Sequence, residues 1–131
     1  MNTTFRYYWP TILWTIFIFI MCSIKMGPIT HEPMFFPGFD KLVHCGFYFV
    51  WVVVYANGFI RKNGLEKLTF GVECIITAVA LAYGGLIEIL QAYIFTWRSG
   101  EWADMFADTV GACMGTFSLL LIIATFKYVK K

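Results

Sequence analysis

At 131 residues, with 60% hydrophobic and 20% aromatic side chains and only 14% charged ones, the chain is too apolar for a soluble domain, in which about a quarter of residues carry charge. Nearly all of it is consumed by segments long enough to cross ~30 Å of hydrocarbon, which excludes an additional soluble catalytic domain within these residues. The formal net charge of +2 is distributed as a topology signal, and it does not read as a nucleic-acid footprint.

Four apolar runs predict an all-α, polytopic membrane protein built as one domain over residues 1–131. The first runs from about Tyr7 to Ile24. Arg6 before it suits a secretory signal, but no small-x-small cleavage site follows and Met21 stands where a lipoprotein signal at Cys22 needs a small residue, so an uncleaved span is expected. Gly27-Pro28 and the stretch Pro33 to Pro37-Gly38 break the chain before the second span, Leu42 to Ile60. Asn63-Gly64 precedes the third, Leu68 to Ile94, and Ser99-Gly100 the fourth, Met105 to Phe126. Each approximates the ~20 residues of a spanning helix, and none alternates as a barrel strand does.

If the spans alternate, Arg6, Arg61, Lys62, Lys67, Lys127, Lys130 and Lys131 fall on one side, against Lys25, Lys41 and Arg98 on the other. The positive-inside rule then puts both termini in the cytoplasm and turns six of the eight acids outward. Tyr7, Tyr8 and Trp9 at one rim and Trp97 and Trp102 at the other fit interfacial belts. Cys22, Cys45, Cys74 and Cys113 lie inside spans without metal-ligand spacing and read as small apolar residues; no metal site and no cofactor is expected.

Ionisable groups inside a bilayer cost about 2.5–3.5 kcal/mol each on insertion scales, so those present face a protein interior or a wet cavity. Lys41, His44 and Tyr48 step by three and four and share one helix face, with Asp40 capping or flanking it. Asp104, Asp108, Gly111 and Gly115 step by four, three and four, which sets two carboxylates above a small-residue stripe. Ala78, Ala82 and Gly85 lead up to Glu88 on the third span, so spans three and four are expected to pack through their small faces and bring Glu88 and Gln91 beside Asp104 and Asp108. Arg98 in the short loop, with Glu101 three residues on, completes the set through bidentate hydrogen bonds. Structural readings stand beside these: Asp40-Lys41 as a cap and interfacial anchor, Glu88 with Arg98 as a buried structural pair, and the segment Met34 to Phe39 as an interfacial loop. Glu73, near the other end of span three, is assigned no role.

With these spacings the chain resembles the VanZ-like family of small bacterial membrane proteins. The resemblance rests on Asp40-Lys41-Leu42-Val43-His44 with Tyr48, on Glu88-Ile89-Leu90-Gln91, and on Arg98 with Glu101, Asp104, Asp108, Gly111 and Gly115, and it covers about Phe39 to Gly115. Asp108 stands where the family usually has Asn, and Glu101 where it has Asp. The resemblance implies a multi-pass protein of the bacterial cytoplasmic membrane with a cell-envelope role. The family takes its name from an accessory protein of glycopeptide-resistance clusters associated with teicoplanin.

Three functional classes fit these residues. The preferred one is a protein that binds a membrane lipid head group, a lipid-linked envelope molecule or a lipoglycopeptide through Asp40, Lys41, His44, Tyr48, Glu88, Gln91, Arg98, Glu101, Asp104 and Asp108. The second is a membrane enzyme with His44, Glu88 and Asp104 as catalytic candidates, His44 acting as general acid or base and carboxylates orienting it or holding a divalent metal. The third is a small transporter with a proton or cation path through Glu88 and Asp108. The sequence shows no activated nucleophile pair and no internal repeat, which is why binding leads. Gly111-x-x-x-Gly115 suits self-association as well as internal packing, so the oligomeric state stays open.

Overall fold

The computed structural model describes residues 3–24, 36, 38–95, 97 and 100–130. They form four helices: α1 (Thr3–Ser23), α2 (Phe39–Asn63), α3 (Phe70–Tyr93) and α4 (Trp102–Val129), with a short 3-10 turn at Leu65–Lys67. All four are long and apolar enough to cross a membrane, and the described residues contain no strand. Their large exposed side chains, among them Leu13, Ile16, Ile75, Leu86, Phe117 and Leu121, suit lipid and would be a liability in water.

The helix ends are set by local chemistry. Gly64, at φ 92°, adopts a conformation that L side chains rarely take, and its N–H closes α2 on the Ile60 carbonyl at 2.8 Å. The Thr69 hydroxyl then caps α3 by accepting from the Val72 amide. The second and fourth helices each begin about one turn earlier than expected, which places Asp40, Lys41 and Asp104 inside helical first turns. Asp40 is therefore not the cap; Gly38 holds that position, without a side-chain bond.

α2 lies at the centre of the bundle, touching α1, α3 and α4, and its contact with α4 is the most extensive in the molecule. The small-residue stripe of α4 serves this pair. Gly111 abuts the Cys45 carbonyl and Gly115 the Phe49 carbonyl and Val52, so the stripe faces α2 and not α3, contrary to the sequence expectation. On α3 the buried stripe is Ile76, Ala80, Gly84, Ile87 and Gln91, while Ala78 and Ala82 are exposed. The buried face lies nearly half a turn from the expected one, and Gly84, not Gly85, faces Tyr48 and Asp108, where an added Cβ would lie 2.9 Å from Asp108 Oδ2.

α1 buries only Thr11, Ile18 and Cys22 and is tied on by hydrogen bonds instead. The Trp14 indole donates to the Phe47 carbonyl at 2.9 Å, Trp51 to the Thr15 hydroxyl at 2.9 Å, and Tyr83 to the Thr15 carbonyl at 2.7 Å. Between hydrophobic helices such bonds, with close packing, replace the hydrophobic effect as the source of association. Cys45, Cys74 and Cys113 are free thiols.

Candidate functional site

The N-terminal ends of α2 and α4 and the C-terminal end of α3 meet at one end of the bundle, and the acids gather there. Arg61 and Lys62 in the last turn of α2 and Lys127 in that of α4 lie at the opposite end, where Lys62 reaches Thr4 of α1 at 3.0 Å. The fold is thus polarised by charge, whichever way it sits in a bilayer.

The outer layer of the cluster is organised by Lys41. Its ammonium donates to Asp40 at 2.7 Å, Glu101 at 3.0 Å and Asp104 at 2.8 Å, joining α2 to the start of α4. These three carboxylates would by themselves be close enough to ligate a cation, and the lysine already supplies the positive charge among them.

One turn deeper, the His44 Nδ1 bonds Asp108 Oδ1 at 2.9 Å, and the Nε2 lies 3.9 Å from Asp104 Oδ2. All three residues are buried. The contact holds the imidazole in one orientation, and with Asp108 ionised, as an acceptor only, Nδ1 is the donor of the pair. Glu88 of α3 closes the group: it accepts the Glu101 amide on Oε2 at 2.9 Å, which anchors the entry of α4, and it offers a ligand atom within 4.8 Å of those of His44 and Asp108. Gly100 is needed for this closure, because a Cβ there would lie 2.9 Å from the Glu88 carbonyl oxygen.

Eight of the ten expected site residues therefore converge: Asp40, Lys41, His44, Tyr48, Glu88, Glu101, Asp104 and Asp108. Gln91 departs from the expectation, since its amide turns to the Cys22 carbonyl of α1 at 3.1 Å and ties two helices. Arg98 lies outside the described residues, as do Met34, Phe35 and Pro37 of the aromatic segment. Trp97, expected in an interfacial belt, donates to the Ser23 carbonyl at 3.1 Å.

Two features had no sequence signal strong enough to find them. Gly84 makes the hollow into which Asp108 Oδ2 and the Tyr48 hydroxyl converge. A groove of about 450 Å³ opens beside Glu88 between α3 and the start of α4, lined by Gly85, Ile89, Ala92, Trp102 and Met105 among others. At the other end Glu73 is fully buried, with neither carboxyl oxygen partnered among the described residues. No family model, curated protein or solved structure matches the chain.

Proposed function

We propose that the chain is a VanZ-like integral membrane protein of the bacterial cell envelope, with both termini cytoplasmic, which binds the head group of a lipid-linked envelope molecule or a lipoglycopeptide at its acid-rich end. The position of Glu88 carries this reading, because the same side chain borders the apolar groove and stands against the buried His44–Asp108 pair. An amphiphile entering from the side would lay its chain along Gly85, Ile89, Ala92 and Met105 and bring its polar end to Glu88 and Glu101. Among the described residues the cluster sets five carboxylates against Lys41 and His44, which favours a head group rich in hydroxyl or amine donors over a bare phosphate. The seven-to-three split of basic residues supports the cytoplasmic placement of the termini.

One contact favours a second reading. A histidine held by a buried carboxylate through Nδ1 has the arrangement of a general base, and an enzyme acting on a lipid-linked substrate would use it so. Expression in a susceptible host separates these ideas. Wild-type protein should shift sensitivity to teicoplanin, which carries a lipid chain, and leave vancomycin unchanged. His44→Ala should abolish the shift outright if His44 does chemistry, whereas binding predicts graded losses across Tyr93, Trp102 and Glu88. No shift toward either antibiotic would remove the resistance reading.

A further inference from the structure

Three buried oxygens at one place have no hydrogen-bond partner among the described residues: Asp108 Oδ2, Glu88 Oε1 and the Tyr48 hydroxyl. Buried polar atoms in native proteins are almost always satisfied, so a local concentration of exceptions points to a missing component. Asp108 and Tyr48 are each 1% exposed, and both direct these atoms toward the hollow at Gly84, 2.9 and 3.3 Å from where a Cβ would stand. The charge is unbalanced in the same sense. Lys41 serves Asp40, Glu101 and Asp104, which leaves Glu88 and Asp108 with no lysine or arginine partner among the described residues.

We propose that His44, Glu88 and Asp108 form a binding site for one divalent transition-metal ion of the Zn²⁺ type, held between α2, α3 and α4. Each residue offers one ligand atom within 4.8 Å of the others, so that modest side-chain movement brings all three onto one ion. The 2.9 Å between His44 Nδ1 and Asp108 Oδ1 is about half an ångström short of the ~3.4 Å between two tetrahedral ligands at about 2.1 Å from one ion, so the pair need open only slightly to bind. On binding, the ion takes the place of the Nδ1 proton, the neutral ring shifts to the tautomer protonated at Nε2, and the Nδ1 lone pair and the two carboxylates become the donors. Nitrogen from one imidazole with oxygen from two carboxylates suits Zn²⁺ or Mn²⁺ better than the all-oxygen preference of Ca²⁺. Asp104, 3.9 Å from the other ring nitrogen, lies just beyond hydrogen-bond distance, and a shift of less than about 1 Å would let it accept the Nε2 proton and orient the metal-bound histidine.

The metal is read without any lipid ligand, so failure of the binding function and failure of the metal site are separate results. Full-length protein in detergent, stripped with a chelator, is titrated with Zn²⁺ and its metal content measured after desalting. One Zn²⁺ per chain is expected, lost to background in His44→Ala and Asp108→Asn and kept in Glu73→Gln. Asp104→Asn should weaken binding by about 10–100-fold. Visible absorption on loading wild-type protein with Co²⁺ gives a reading that needs no variant to fold. A wild-type chain with no stoichiometric Zn²⁺ and no Co²⁺ band overturns the proposal, as does undiminished binding in both ligand variants.

Discussion

Gly111 of α4 lies so close to the Cys45 carbonyl of α2 that a Cβ at this position would overlap the carbonyl group. Both atoms belong to the backbone, so neither side can yield by changing rotamer. The contact sets the spacing of the α2–α4 pair, and with it the reach from His44 to Asp108 one turn nearer the acidic end.

Gly111→Ala is therefore expected to destabilise the protein by about 1–3 kcal/mol and to lower its melting temperature in detergent, as overpacking does. Gly85→Ala provides the comparison, because a Cβ there meets only the Met105 methyl at an ordinary 3.8 Å. Equal melting temperatures for the two variants would refute the close-approach argument.

The Lys41–Asp104 pair joins a lysine whose side chain is 32% exposed to an aspartate at 7%. It lies between the surface and buried regimes, and a double-mutant cycle with Lys41→Met and Asp104→Asn should give a coupling of about 1–2 kcal/mol. A coupling indistinguishable from zero would mean that the lysine serves only Asp40 and Glu101.

Glu73 makes the opposite prediction. A fully buried carboxyl with two unpartnered oxygens among the described residues is a cost to the fold, so Glu73→Leu should raise stability by about 1–3 kcal/mol, seen as a higher melting temperature. A fall in melting temperature would show that the carboxyl has a partner in the membrane-embedded protein.

Orientation is checked by labelling single cysteines, in a variant lacking the native four, with a membrane-impermeant thiol reagent. Trp102→Cys, at the acidic end, should react in intact cells, and Glu66→Cys, at the basic end, only after permeabilisation. The reverse pattern would place the polar cluster on the cytoplasmic side and remove the envelope-facing reading.

Much of the candidate site was legible because helical periodicity is strict. Lys41, His44 and Tyr48 had to share a face, as did Asp104 and Asp108, and acids next to apolar runs had to turn inward. Gln91 was misplaced because a spacing of three from Glu88 is compatible with neighbouring partners on either side of the face, and the Cys22 carbonyl of α1 took it. The packing partner of Gly111 and Gly115 was misjudged for a related reason. A small stripe announces that a backbone comes close without saying whose, and the nearest helix in sequence is only one of the choices.

Composition and hydropathy alone determined that four apolar helices would form and that their charged residues would gather by end, because hydrocarbon penalises each such residue independently of its neighbours. Only the tertiary structure decided which polar groups meet. His44, Glu88 and Asp108 lie on three different helices, far apart along the chain, and their convergence depends on helix rotation and on the two backbones touching at Gly111. Those are properties of packed surfaces, set by side-chain volume across helices, and no spacing within one helix encodes them.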